Sequence, residues 1–409
     1  ETVDGLYCGT KAGDVAVTRR TTRLRKVRLM MTVQHKIRCL LLLALFFSVT
    51  GCAMLGGHGY AEGKVAGEEV AARLDSPLAQ AYLQPQDAAP ALRARIQTIE
   101  VAYPGVPDAM QLAALTAETS PDFASLLYAR RLLQQPLNRV AQQRSHELAQ
   151  RLSLSRLDAR HAHLFETHHA LVVPGWFWQT RSETGADLAF PRRFLAGLGL
   201  RSTLVQTDEH GTVEANAGIV AQAVRQAREL DRPVVLVSVS KGGPEVAYAL
   251  GHELAGEDLD HVRGWLNIGG VVGGSTFAQV ALANPKTWFA SEGLPRDTPL
   301  EPLRGLLPRP SQARLQGLQM PTGITVINYA AMTFSTTLDP RSHNSYEALS
   351  PRGPNDGAAL LHELLMPGSA SVLEIGIDHY MRSRRVMRRV IALLLLMMDC
   401  DQVLGVQRC

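Results

Sequence analysis

The C-terminal part of this sequence predicts an α/β fold, a mainly parallel sheet flanked by helices, and three observations predict it. Short β-branched runs recur beyond residue 168: A-L-V-V (170–173), S-T-L-V-Q-T (202–207), P-V-V-L-V-S-V (233–239), G-W-L-N-I (264–268), I-T-V-I-N-Y (324–329) and S-V-L-E-I-G (371–376). Amphipathic stretches such as A-N-A-G-I-V-A-Q-A-V-R-Q-A-R-E-L (215–230) lie between them, and parallel strands need crossovers of that length. The composition, 46% hydrophobic and 20% charged over 409 residues, is that of a folded chain with one large core or a core with an added domain. It excludes disorder as the main state.

The chain opens on Glu1 and a basic stretch (Arg19, Arg20, Arg23, Arg25, Lys26, Arg28) ahead of Met30 and Met31, so residues 1–30 are read as sequence upstream of the true start. From Met31 the order is a short positive region (His35, Lys36, Arg38), the apolar run L-L-L-L-A-L-F-F (40–47), then S-V-T-G-C ending at Cys52. An apolar run well short of the roughly 20 residues that span a bilayer reads as a signal peptide. The V-T-G-C ending resembles the lipobox of bacterial lipoproteins, which implies a cleaved leader, a lipid on the Cys52 thiol and a protein held at the membrane of the cell envelope, facing the periplasm. Ala53, where an aspartate would retain the protein at the inner membrane, implies the outer membrane.

Residues 1–51 hold nine Lys and Arg against three Asp and Glu, a net +6, so the rest of a chain of formal charge +4 carries −2. That balance gives a nucleic-acid partner no electrostatic support. Cys8 and Cys39 leave with the leader and Cys52 is acylated, so Cys400 and Cys409 remain, free to pair in an oxidising compartment or to stay as terminal thiols.

Residues 52–165 read as a helical N-terminal region, rich in Ala, Leu, Gln and Arg, with helical periodicity in D-F-A-S-L-L-Y-A-R-R-L-L (122–133). Pro121 marks a helix start and Pro136 a break or kink. The α/β domain occupies 166–409. Its rhythm lapses at about 274–320 into the Pro- and Leu-rich segments L-A-N-P-K-T-W-F-A (282–290) and P-L-E-P-L-R-G-L-L-P-R-P (299–310), read as a cap insertion over the strand ends. No internal repeat is seen.

The most specific chemical signal is V-S-V-S-K-G-G (237–243) at the end of the third run. A serine exposed on a tight strand-to-helix turn tolerates only small residues two before and two after it. Ser238 and Gly242 meet that condition around Ser240, whereas a nucleophile at Ser238 would put Leu236 in a small-residue position. From the A-L-V-V-P-G-W strand onward the chain resembles the α/β-hydrolase superfamily, with Ser in the first elbow position where the common pattern has Gly. The resemblance implies an acid after the penultimate strand and a histidine after the last one, in the order Ser, Asp, His. P-N-D-G-A-A-L-L (354–361) and G-I-D-H-Y (376–380) place Asp356 and His379 there, an arrangement that looks like that of many bacterial lipases and esterases. Asp356 also suits the cap of a helix beginning near Ala358, and Asp339 in T-L-D-P-R is the runner-up acid. Asp378 reads as structural.

The activity implied is hydrolysis of a carboxylic ester through an acyl-enzyme, on a small-molecule or lipid substrate and without a cofactor. The oxyanion donors implied are the backbone N–H groups of Lys241 and Trp176, the latter in P-G-W where many lipases have H-G-x. The Lys241 side chain reads as a solvated residue opening the helix. Two other readings stand beside this one: an acyltransferase or thioesterase using the same triad, and a non-catalytic envelope binding or assembly lipoprotein on a hydrolase fold. His161, His163, His168 and His169 match no closed metal-ligand spacing and read as solvated, so no metal is expected. Trp176, Phe177 and Trp178, with Trp288 and Phe289 in the insertion, suit either an acyl pocket or the core. The basic, apolar stretch M-R-S-R-R-V-M-R-R-V-I-A-L-L-L-L-M-M (381–398) reads as the last helix packing on the sheet, with contact to lipid headgroups as the other reading.

Overall fold

The computed structural model describes residues 58–286 and 297–399. The leader, Trp288, Phe289 and all five cysteines, Cys52 among them, lie outside the described residues.

The region expected to be helical begins with a ribbon instead. Gly59–Val65 (β1) and Glu68–Leu74 (β2) pair antiparallel, and β2 buries every second residue. The turn between them, Ala66-Gly67, takes φ of 50° and 91°, the double positive φ of a tight hairpin. An alanine is a poor marker of such a turn, which is why periodicity alone passed over it.

Helices follow at Pro77–Leu83 (α1), Pro90–Ala102 (α2), Ala109–Glu118 (α3), Pro121–Gln134 (α4), Pro136–Arg151 (α5) and Ala159–Thr167 (α6). Proline opens α1, α2, α4 and α5, where its missing N–H leaves no bond unmade. Pro136 therefore starts a helix after a break at Gln135. Side-chain caps close the N-termini at Ser76, Asp108, Ser120 and Asp158.

The sheet holds His169–Val173 (β3), Arg201–Leu204 (β4), Val234–Val239 (β5), Val262–Ile268 (β6), Thr325–Met332 (β7) and Ala370–Ile375 (β8). All pairs are parallel, in the order β4-β3-β5-β6-β7-β8. Each strand coincides with one of the runs read from the sequence. The helices between and after them are Ala189–Gly197 (α7), Val213–Ala227 (α8), Gly242–Tyr248 (α9), Thr276–Ala283 (α10), Glu301–Gly305 (α11), Pro308–Leu315 (α12), His343–Leu349 (α13) and Arg384–Met398 (α14), with α10 to α12 in the expected insertion.

Successive strand residues point to opposite faces, so each strand feeds two cores. Ala170, Val172, Val235, Val237, Leu266 and Ile268 pack with α5, α6, α7 and α14, while Leu171, Val173, Val234, Leu236 and Trp265 pack with α8 and α9. A third cluster joins β1, β2 and α1 to α4 to the ends of β7 and β8 through Met332, Leu373 and Ile375.

Helix α5 also covers the free edge of β8. Ser371 N–H donates to Asn138 Oδ1 (2.8 Å), Leu373 N–H donates to Gln142 Oε1 (2.9 Å), and Gln142 Nε2 donates to the Leu373 carbonyl (3.0 Å). Side chains thus take the place of a missing neighbouring strand. The 381–398 stretch forms α14 on the sheet, with Val390 to Met398 buried. Its Arg389 is buried against both carboxylate oxygens of Glu68 at 3.0 Å and against Glu374 at 3.5 Å. No helix among the described residues is long and apolar enough to cross a membrane.

Candidate active site

Strand β3 pairs with β4 on one side and β5 on the other, so the order of the sheet reverses between β3 and β5. In open parallel sheets the crevice at the C-terminal ends of such a pair is where ligands sit. The loop after β3 carries Trp176, and the residue after β5 is Ser240.

Ser240 adopts φ 50°, a left-handed conformation unusual for a residue with a Cβ. Its N–H donates to the Ile268 carbonyl (3.2 Å), and its carbonyl accepts from Gly243 (3.0 Å) and Val271 (3.2 Å). Those bonds hold the turn from both sides. A Cβ on Gly242 would stand 2.7 Å from the carbonyl oxygens of Val173 and Pro174, so the elbow lies flush against the end of β3. A Cβ on Gly175 would come within 3.2 Å of Ser240 Cβ, which puts the loop bearing Trp176 beside the serine. Ser238 is fully buried; its hydroxyl donates to Asn267 Oδ1 (3.1 Å) and accepts from Trp265 Nε1 (2.8 Å). That engaged hydroxyl leaves Ser240 as the serine facing the crevice.

His379 lies after β8, and its Nδ1 is 2.6 Å from Asp356 Oδ2. Asp356 is fully buried, its Oδ1 accepts from Ala358 N (2.9 Å) and Ala359 N (2.8 Å), and its carbonyl accepts from His379 N (2.7 Å). The helix expected near Ala358 does not form, and Asn355 bridges to Leu360 around a tight loop instead. Oδ2 thus faces His379, and Oδ1 holds the Ala358 and Ala359 amides of that loop with no helix behind them. Burial lowers the pKa of the His379 imidazole, but the charge and hydrogen bond of Asp356 with the charge of Asp378 outweigh it, and the net shift is upward. Asp339 is held instead by Arg341 at 2.8 and 2.9 Å, and Asp378 ties down the backbone of Asp339 (2.7 Å) and Tyr380 (3.1 Å). Ser240 and His379 line one pocket of about 230 Å³ with Trp176, Phe177, Ser345 and Gly357.

The Lys241 side chain departs from expectation. It is buried, 3% exposed, and its Nζ sits 2.5 Å from Glu245 Oε1 one helical turn on, itself 1% exposed. Burial raises the Glu245 pKa against the opposing pull of Lys241. Asn216 Nδ2 donates to the same Glu245 oxygen (2.7 Å), and Asn216 Oδ1 accepts from Asp208 N (3.0 Å). Next to Asp208, buried Glu209 accepts from Gln179 N (3.0 Å) and Thr180 N (3.1 Å), and Trp178 Nε1 donates to the Thr207 carbonyl (3.2 Å). A polar chain thus runs from the elbow helix to the loop that carries Trp176. Only the Lys241–Glu245 spacing of four was legible in the sequence; Asn216 and Glu209 carry no local signal.

Trp176 stacks on Phe177 (4.2 Å between rings), and Trp178 belongs to the core. His168 and His169 are buried, not solvated: His168 Nδ1 lies 2.8 Å from the Leu164 carbonyl and His169 Nε2 2.9 Å from Thr203 Oγ1. Among the described residues no three His, Cys, Asp or Glu side chains are grouped to hold a metal ion.

No protein-family model and no curated protein matches the chain. Solved structures do. A metagenomic carboxyl esterase superposes with a TM-score of 0.47 at 19% identity over 57% of this chain and 76% of that one. The mature lipase BlEst2 of Bacillus licheniformis gives 0.43 at 18% identity over 53% and 86%, and lipase 1 of Pelosinus fermentans 0.41 at 11% over 56% and 98%. The parallel six-stranded sheet flanked by helices, with a strand-to-helix elbow at its reversal point, is the α/β-hydrolase fold.

Proposed function

We propose that the protein is a serine hydrolase that cleaves carboxylic esters. The observation that carries the reading is Ser240, held at φ 50° at the sheet's reversal point, in one pocket with His379, whose Nδ1 is bound to a buried Asp356. In the forward step His379 Nε2 takes the Ser240 proton as Oγ attacks the ester carbonyl, and Asp356 holds the proton on Nδ1 and stabilises the imidazolium. The tetrahedral oxyanion is met by the N–H groups of Trp176 and Lys241. It collapses by expelling the alcohol, which receives the proton from His379. Water then gives a proton to His379, attacks the acyl-enzyme, and the acid leaves with Ser240 restored.

The segment ending at Cys52 belongs to the same proposal: a lipid on that thiol tethers the enzyme to the envelope, facing the periplasm at the outer membrane. Supporting it are the short apolar run and the V-T-G-C ending. Metabolic labelling with a clickable fatty acid tests it, and a Cys52→Ser chain labelled like the parent would sink it.

The hydrolase reading is tested with a fluorophosphonate probe on the full chain. The parent and Ser238→Ala are expected to be labelled, Ser240→Ala and His379→Ala not. A folded parent that stays unlabelled refutes the reading and leaves a binding protein on a hydrolase fold.

A further inference from the structure

A second cavity of about 750 Å³ opens beside the candidate active site. It lies between one face of the sheet and the helices α7 and α14, away from the α10–α12 insertion. Its inner wall is Ala170, Val172, Val237, Leu195, Val390 and Leu394, none of which has a side-chain hydrogen-bonding atom. Thr184, Gly185, Leu188, Ile268, Tyr380 and Met381 line both this cavity and the pocket of Ser240 and His379, so the two spaces share a wall. The pocket beside the serine, about 230 Å³, is the smaller of the two. The lining also includes Arg192, Arg193, Arg382 and Arg384, and Phe190 stands 65% exposed.

A void of this size with an aliphatic inner wall is in the range of ligand sites, and an unbranched hydrocarbon is a ligand that such a wall accepts without leaving a polar group of the ligand unpaired. The wall it shares with the Ser240 pocket points to which hydrocarbon. We propose that this chamber binds the acyl chain of the ester attacked at Ser240, so that the substrates are esters of medium- to long-chain fatty acids, the alcohol side occupying the smaller pocket. The inference rests on the hydrolase reading for the ester and on the cavity alone for the chain.

The test pairs catalysis with binding. With the full chain and p-nitrophenyl esters kept monomeric, kcat/KM is expected to rise by roughly fourfold per methylene, on the order of 10²-fold from butyrate to octanoate. Ala189→Trp and Ser202→Trp, at half-buried lining positions outside the catalytic machinery, fill the chamber. Each is expected to leave butyrate hydrolysis within twofold and to erase the octanoate advantage. Dodecanoate binding to the Ser240→Ala chain, followed by calorimetry, needs no turnover; it is expected to occur and to be lost when Ala189→Trp is added. Ester cleavage with no chain-length preference, or dodecanoate that fails to bind, overturns the chamber and leaves the hydrolase standing. Dodecanoate binding that Ala189→Trp abolishes in a chain that cleaves no ester supports the chamber and removes the hydrolase reading instead.

Discussion

Replacing Lys241 by Met isolates the buried ion pair behind the elbow. The two side chains are 3% and 1% exposed and 2.5 Å apart, so the substitution leaves the Glu245 carboxylate with Asn216 and no cation. Breaking one partner of such a pair costs about 3–5 kcal/mol, because the remaining charge has no solvent to return to. At roughly 1.2–1.4 °C per kcal/mol for a chain of this size, the melting temperature should fall by roughly 4–7 °C at pH 8. The sign of the pH dependence follows from Glu245. Burial already raises its pKa, and losing Lys241 raises it further. A carboxyl whose folded pKa lies above the unfolded value of about 4.3 favours the folded state below that value and loses the contribution as pH rises through the folded pKa. The deficit of Lys241→Met against the parent should therefore shrink between pH 8 and pH 5. Lys241→Met with Glu245→Leu should regain most of the loss at pH 8, since the Asn216 amide loses one acceptor and keeps its bond to the Asp208 carbonyl (2.8 Å). Calorimetric melts at pH 5, 7 and 8 measure all of this. A melting temperature unchanged within 1 °C at pH 8, or a deficit larger at pH 5 than at pH 8, would refute the reasoning.

Asp356→Asn keeps an oxygen for Ala358 and Ala359 but presents an amide to His379 Nδ1, so ester kcat/KM should drop by about 10³–10⁴ with the melting temperature within a few degrees of the parent. Because the base must be neutral and the His379 pKa is raised, the acid limb of the kcat/KM profile should fall above pH 6.5 in the parent and move to lower pH in the residual activity of Asp356→Asn. Gly242→Ala drives a methyl into the Val173 and Pro174 carbonyls, and urea unfolding should show a loss of about 1–3 kcal/mol with slower probe labelling at Ser240. Glu363 is buried where it accepts from Thr276 and Leu360, and burial pushes its pKa up to about 7. Stability is then fully present below the unfolded carboxyl pKa and lost as pH rises through about 7, by roughly 3 kcal/mol, and Glu363→Gln should flatten that decline in pH-dependent melts.

Much of the fold was legible because its signals are local. β-branched runs with crossover-length stretches between them identify parallel strands wherever the chain places them, and all six coincide with the observed strands. The elbow was legible for the same reason: small residues at 238 and 242 are a steric demand of one tight turn, seen now in the 2.7 Å approach to the β3 carbonyls. The hairpin was not, since Ala66 does not advertise a positive φ.

Burial and polar pairing belong to the assembled structure. Lys241, His168 and His169 look like surface residues in a one-dimensional pattern, and each is buried with a hydrogen-bond partner in place: Glu245 one turn on with Asn216 behind it, the Leu164 carbonyl one turn back, and Thr203 on the neighbouring strand. That α5 serves as a substitute strand along β8 follows from Asn138 and Gln142 meeting residues more than two hundred positions away. The sequence alone determined the order of the strands along the chain, the elbow at Ser240 and the loops that carry Asp356 and His379. Only the tertiary structure decided which Asp356 oxygen faces His379, which charges lie inside, and that a chamber lies between α7, α14 and the sheet. An empty volume is a property of the space between elements, and no residue in the sequence records it.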